Sequence, residues 1–152
     1  MDNIIITQMN LNDFDLIEPI FSSDFDEFWN SNILKEELQS NNSKFIVAKI
    51  GDEVVGFAGF KILFDVADIM NIVVKKSFRN KKIGTLLLKT LIELFESFDL
   101  LCLNLEVNEN NIYAINLYKH FGFEEICIRK NYYSNGGNAI IMKLDNYKNR
   151  KH

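Results

Sequence analysis

The amino-acid sequence predicts one mixed α+β domain over residues 1–146, followed by a polar tail at 147–152 that frays. The hydrophobic period switches repeatedly between two and 3.6, giving the order β α α β β β α β α β β with no repeat, linker or low-complexity segment. In the middle of the chain, an apolar β-type run, Asn71 to Val74, feeds a basic loop into an amphipathic helix that leads to an alternating strand. A helical crossover returns the chain in the same direction, so these two strands are expected to be parallel neighbours beside an antiparallel meander.

Each element has its own signal. Ile4 to Met9 is rich in β-branched residues and reads as a strand. Asn10 or Asn12 caps a helix carrying Leu11, Phe14, Ile17, Ile20 and Phe21, which Pro19 should break or kink. Phe25, Phe28 and Trp29 follow in a polar stretch, either as a substrate wall or as cover for the core, the second being favoured for any one of them. Asn30 caps a helix with Ile33, Leu34, Glu37 and Leu38 that ends at Asn41-Asn42. Phe45 to Ile50 and Glu53 to Phe64 form a hairpin about Gly51-Asp52, with Gly56 and Gly59 marking a bulge or a close approach. Ala67 to Val74 completes the meander. The next helix, Ile83 to Phe98, shows Ile83, Leu87, Leu91, Leu94, Phe95 and Phe98 on one face. Leu101, Leu103, Leu105 and Val107 then alternate with Cys102, Asn104 and Glu106. Asn108 to Asn111 starts a helix that reaches Phe121, where Gly122 stops it. Glu124 to Asn131 and Ala139 to Leu144 are strands about the turn residues Ser134 to Gly137.

Composition narrows the function classes. The 152 residues are 47% apolar, with 13 Phe, enough for one core. A net charge of −4 and a pI near 5.2 argue against a general nucleic-acid or anionic-membrane binder. No apolar run approaches the roughly 20 residues of a membrane span, and the N-terminus lacks a basic leader, so a cytoplasmic protein is expected. Cys102 and Cys127 have no CxxC spacing and no neighbouring His, so free, mostly buried thiols are expected and metal binding is not.

Against this acidic background the basic loop is local. Lys75, Lys76, Arg79, Lys81 and Lys82 lie just before a helix N-terminus, whose unpaired amides and positive dipole end suit a phosphate. Spacing alone leaves this reading level with that of a solvated face. Glu106 points away from the apolar face of its strand, and on spacing alone an ordinary exposed carboxylate is the commoner case. His120 sits in the last turn of its helix, where partial positive charge favours the dipole. An acyl-cysteine mechanism at Cys102 would need an activating base, and neither His120 nor His152 is suitably placed.

The stretches NIVV, RNKKIG, LEVNENN, AINLYKHFGF, IRKNYY and AIIMKL occur in that order over roughly the last 80 residues. Together they resemble the GNAT N-acetyltransferase superfamily, in particular its ribosomal-protein-alanine N-acetyltransferase branch. Phe28-Trp29 extends the likeness, with Phe where that branch usually has Pro. The family's acetyl-CoA loop reads Arg or Gln, two residues, Gly, one residue, Gly or Ala. Arg79 and Gly84 match it, and Lys82 replaces the first glycine. The resemblance implies a mostly antiparallel sheet with one splayed parallel pair and helices on both faces. It implies that acetyl-CoA is held by Asn80, Lys81, Lys82, Ile83, Gly84 and Thr85 at the pyrophosphate, with Arg79 in the same loop. The backbones of Ile72, Val73 and Val74 would hold the pantetheine arm. It also gives an oxyanion donor near Val73, a cofactor contact at Asn111, Glu106 as general base and Tyr118 as proton donor to the thiolate. An ordinary Glu is too acidic to be an efficient base near neutral pH, so partial burial of Glu106, or relay through a water, is expected. Tyr118 shares helical spacing with Ala114, Leu117 and Phe121, so packing and proton donation are both open to it.

Tyr132 and Tyr133 match the family's NYY and would line the acceptor mouth, where the short SNGGNA segment carries Asn138 in place of a common acidic residue. The acceptor implied is a protein N-terminal α-amine, best an alanine-starting basic small-subunit ribosomal protein, without direct nucleic-acid contact. A small polyamine, an aminoglycoside or a lysine side chain is the rival acceptor. A non-catalytic acyl-CoA-binding module is the rival class, and the presence of both Glu106 and Tyr118 speaks against it.

Overall fold

The computed structural model describes residues 3–25, 30–134 and 136–149. Its strands are β1 (Ile4–Gln8), β2 (Ser43–Ile50), β3 (Glu53–Leu63), β4 (Val66–Val74), β5 (Cys102–Asn108), β6 (Glu124–Arg129) and β7 (Ala139–Asp145). Its helices are α1 (Leu11–Ile17), α2 (Phe21–Asp24), α3 (Ser31–Gln39), α4 (Ile83–Glu96) and α5 (Ile112–His120). The fold is mixed α/β, with a seven-stranded, mostly antiparallel sheet in the order β1-β2-β3-β4-β5-β7-β6 and β4 parallel to β5. Internal contacts divide the chain into two compact units, residues 1–61 with 70–91, and 62–69 with 92–152.

In the first unit, α1 starts at Asn10, whose side chain accepts from the Asp13 amide at 3.0 Å while the Asp13 carboxylate accepts from the Asn10 amide at 2.9 Å. This capping box satisfies two amides that the helix leaves unpaired, and Lys49 pairs with the buried Asp13 carboxylate. Pro19 acts as expected: α1 stops at Ile17, and a 3₁₀ turn over Glu18–Ile20 precedes α2. Phe14, Ile17, Phe21, Phe25, Leu34, Phe45, Val47, Val54, Phe57 and Val73 bury together, each fully buried side chain worth about 1.5–3 kcal/mol. Phe25 therefore belongs to the core, tilted against Phe21 and Phe57 at 6.3 and 6.2 Å. Phe28 and Trp29 lie outside the described residues.

The β2–β3 hairpin turns at Gly51-Asp52, and its register slips between Ala48, opposite Gly56, and Lys49, opposite Val54. Val55 is the extra residue, and its carbonyl accepts from the Lys75 amide at 2.8 Å. A Cβ on Gly56 would stand 2.9 Å from the Val73 carbonyl oxygen and 3.0 Å from Leu87 Cδ1. The missing side chain is what lets the end of β4 and the first turns of α4 come so close to β3. Phe64, expected to end β3, instead sits fully exposed in the following turn at φ +59°. Its backbone has left the extended region, so it cannot continue the ladder.

In the second unit, Leu103, Leu105 and Val107 are buried while Cys102, Asn104 and Glu106 take the other face of β5. The parallel register joins Val66 to Cys102, Ala67 to Leu103 and Asp68 to Asn104, and both strands run on past it. Leu101 was expected on the apolar face but precedes the strand and is half exposed; its amide donates to the Asp65 carbonyl at 2.7 Å. α4 buries Leu88 and Ile92 beside Ile83, Leu87, Leu91 and Phe95, leaves Leu94 half-buried, and ends at Glu96, short of the half-buried Phe98. α5 is capped by Asn111, whose side chain accepts from the Ala114 amide at 3.2 Å, and stops at Gly122, φ +100°.

β6 is exposed along its whole length, so Cys127 is an exposed thiol and not the buried one expected. Its pairing with β7 slips at Ile126: Glu125 faces Met142, but Cys127 faces Ile141 and Arg129 faces Ala139. Beyond β7, Asn146 is buried; its side-chain amide donates to the Leu100 carbonyl at 2.9 Å and its backbone amide to Leu101, also at 2.9 Å. The chain remains ordered through a 3₁₀ turn at Tyr147–Asn149, later than the fraying expected of the polar end.

Candidate active site

The basic loop lies in the first unit. At the end of β4, Val73 is buried while Ile72 and Val74 are half-buried. A 3₁₀ turn over Lys76–Phe78 follows. Arg79 then folds back, its Nε donating to the Val74 carbonyl at 3.1 Å and its Nη2 to the Phe25 carbonyl at 3.4 Å. The motif arginine thus fastens the loop to the strand that precedes it. Lys75 is bound to Glu53 at 2.7 Å and reaches Asp24 at 3.9 Å, while Lys81 lies 5.3 Å above the Phe78 ring.

Asn80 and Lys82 are both left-handed, at φ +63° and +64°. Glycine enters that region without a Cβ penalty, whereas other residues pay roughly 1–2 kcal/mol. Lys82 therefore supplies the backbone shape that glycine would allow, and its carbonyl accepts from the Leu86 amide at 3.1 Å as the first turn of α4 closes. Ile83 is buried under this turn, and Gly84 and Thr85 are half-buried. A Cβ on Gly84 would meet Val74 Cγ2 at 3.7 Å, an ordinary contact. Packing within the chain therefore does not require glycine there. A ligand drawn against the backbone amides would require it. The first amides of α4 have no helical carbonyl to meet, so the loop fits a pyrophosphate.

The second unit carries the titratable groups. Glu106 lies on β5 opposite Ile141 of β7 and is exposed, so the partial burial expected of it is absent. Its Oε1 is 3.2 Å from Nη1 of Arg129, and it is hydrogen-bonded to Tyr132, whose hydroxyl is held above the ordinary phenol value first by that bond and then by the carboxylate's charge. Burial, then the charge of Glu106, raises Tyr133, whose ring meets Tyr132 edge-on at 5.2 Å. The Arg129 guanidinium is 5.8 Å from the Tyr132 ring centroid. Tyr118, half-buried on α5, packs edge-on to Phe123 at 5.7 Å, and burial pushes its phenol upward. Cys102 is half-buried, its thiol 3.7 Å from Asn104 Oδ1 and raised by burial, which favours the unreactive protonated form. Asn138 ties its loop shut, accepting from the Asn131 amide at 2.9 Å and donating to Glu109 at 3.2 Å.

The profile of the acetyltransferase (GNAT) family matches residues 14–123. The chain belongs to the GNAT acetyltransferase family. A Bacillus subtilis protein provisionally described as a ribosomal protein bS18-alanine N-acetyltransferase is 35% identical over 139 residues, 90% of this chain and 92% of that protein. An N-alpha-acetyltransferase of Sulfolobus acidocaldarius is 31% identical over 153 residues, covering 92% and 91% of the two chains. The crystal structure of the Escherichia coli ribosomal-protein-alanine N-acetyltransferase superposes with a TM-score of 0.85 at 28% identity, over 95% of this chain and 94% of that one. The protein is an acetyl-CoA-dependent N-acetyltransferase that resembles the ribosomal-protein-alanine branch. Among the described residues, no cluster of His, Cys, Asp and Glu is suited to a metal, and no helix is long and apolar enough to cross a membrane.

Sequence reasoning passed over Arg129. Without the slip at Ile126, a period-two count along β6 puts Ile126 and Ile128 in the rows that contain Glu106 and Asn108, and Arg129 on the opposite face. Asn138 carried the opposite signal, standing out only as a missing acid.

Proposed function

We propose that residues 1–146 form one catalytic domain that acetylates a protein N-terminal α-amine, that of an alanine-starting ribosomal protein. The observation that carries this reading is the likeness, over most of the chain, to enzymes named for ribosomal protein bS18 and for α-amines. A protein substrate made on the ribosome brings with it a cytoplasmic site of action.

Acetyl-CoA supplies an activated acetyl group when bound. The loop from Asn80 to Thr85 receives its pyrophosphate on backbone amides and lysine charges, an assignment supported by the left-handed Asn80 and Lys82 and by the unforced Gly84. Arg79 acts through the Val74 carbonyl, keeping Ile72, Val73 and Val74 extended for the pantetheine arm, and a backbone amide near Val73 polarises the thioester carbonyl. Asn111 caps α5 with its oxygen and contributes to the cofactor site from that position.

An ammonium has no lone pair, so Glu106 first takes one proton from it, directly or through a water. The neutral nitrogen attacks the thioester carbon; the C–N bond forms, the C–S bond breaks, and the nitrogen passes its second proton to solvent water, from which the Tyr118 phenoxide is re-protonated once it has donated. Tyr118 gives its proton to the departing thiolate. Burial keeps that phenol protonated across the neutral range, which suits a donor.

Free thiol released from acetyl-CoA, measured with N-terminal peptides, lysine peptides and small amines, tests the reading. Turnover is expected with alanine-starting peptides, falling about 10²–10⁴-fold in Glu106→Gln. Binding of acetyl-CoA without acceptor-dependent release, or preference for lysine, would overturn it.

A further inference from the structure

Resting on that reading of Glu106, we infer that Arg129 is a positioning residue which occupies the Glu106 carboxylate in the free enzyme as an internal stand-in for the acceptor's ammonium, and yields it when the acceptor arrives. Three features of the second unit converge on this. First, the 3.2 Å pair is at the surface, with the two side chains 56% and 36% exposed. Such pairs are worth about 0–1 kcal/mol, so a second cation can compete for the carboxylate. Second, the guanidinium lies 5.8 Å from the Tyr132 ring, while Tyr132 itself hydrogen-bonds Glu106. On leaving the carboxylate, Arg129 keeps an aromatic face to rest on, and Glu106 keeps one hydrogen bond that fixes its direction. Third, the slip at Ile126 is what turns Arg129 toward the rows of Glu106 and Asn108; regular pairing would send it to the other face of β6.

Around the carboxylate, β7 contributes the apolar Ile141 directly across, β6 contributes Cys127 and Arg129, and the loop contributes Tyr132 and Tyr133. Arg129 is the cation that pairs with Glu106, while Lys143, one row along β7 on the same face, pairs with Asp145 at 3.3 Å. An entering α-ammonium carries the same charge and makes the same charge-assisted hydrogen bond, so it replaces the guanidinium on the carboxylate like for like. A neutral nucleophile cannot displace the guanidinium in this way. The arrangement therefore selects acceptors that arrive as cations and hands each one to the base already ion-paired.

Steady-state kinetics of the full chain with an alanine-starting peptide decide the point. Arg129→Gln removes the competitor and is expected to lower the acceptor KM about three- to fivefold, with kcat within about twofold of wild type. Arg129→Lys keeps a cation and should restore a KM near wild type. In a Glu106→Gln background, Arg129→Gln should no longer change KM, because the carboxylate contested by the two cations is gone. A rise in KM in Arg129→Gln, or a fall that persists in the Glu106→Gln background, overturns the inference. If Glu106→Gln alone keeps the wild-type kcat, the base assignment fails instead, while the coupling between the two substitutions still scores the contact.

Discussion

Lys82 stands where the family's loop has glycine, and it takes the left-handed backbone at φ +64° that glycine would take. The lysine charge is thus added to the turn, and the turn itself is kept at a cost of strain. Lys82→Gly is expected to stabilise the fold by about 0.5–1 kcal/mol in urea unfolding, the relieved strain being partly offset by the freer unfolded chain. Tyr118 yields a pH prediction. Its folded-state value is raised by burial, so the neutral phenol is favoured by folding. That contribution is complete below the unfolded value of about 10 and is lost as pH rises through the folded value. Urea midpoints of wild type should therefore fall more steeply above about pH 10 than those of Tyr118→Phe. The sequence singles out both side chains, one by its place in the basic loop and one by its place on α5. The sign of Lys82's φ was not legible there, because nothing in a residue's identity announces strain that its neighbours impose.

Elements were legible wherever a local rule dominates. Asn30 caps the helix the sequence assigns to it, Asn10 and Asn111 cap theirs from among the asparagines the sequence offers there, and Pro19 ends α1 through its missing amide. The helical crossover through α4 makes β4 and β5 parallel, as its connection requires. The sequence misled where a register slip or a distant partner decides. One extra residue at Ile126 reverses the faces of the rest of β6 and hid Arg129. Asn146 stands at the last position of the domain with no sequence signal of its own, yet it fastens the end of β7 to the α4–β5 connection through the Leu100 and Leu101 carbonyls. Asn146→Ala leaves the Leu100 carbonyl without that donor and should cost about 1–3 kcal/mol by thermal or urea unfolding.

At the scale of the whole molecule, the net charge of −4 acts at longer range than any pair within the site. If the acceptor is the basic N-terminal region of a ribosomal protein, the acidic body steers it, and that attraction is screened once the Debye length falls below about 10 Å. The kcat/KM for a basic alanine-starting peptide should fall several-fold between about 0.05 and 0.5 M NaCl, whereas that for an uncharged peptide with the same first residues should change less than about twofold.

The left-handed turn at Asn80 and Lys82 also bears on how such a loop can change over generations. Each non-glycine residue there costs about 1–2 kcal/mol, against a total stability of about 5–15 kcal/mol for a domain. Lysine, asparagine and glycine can therefore replace one another without the chain passing through an unfolded intermediate form. Drift among those letters would rewrite the motif while leaving the left-handed turn of the backbone in place.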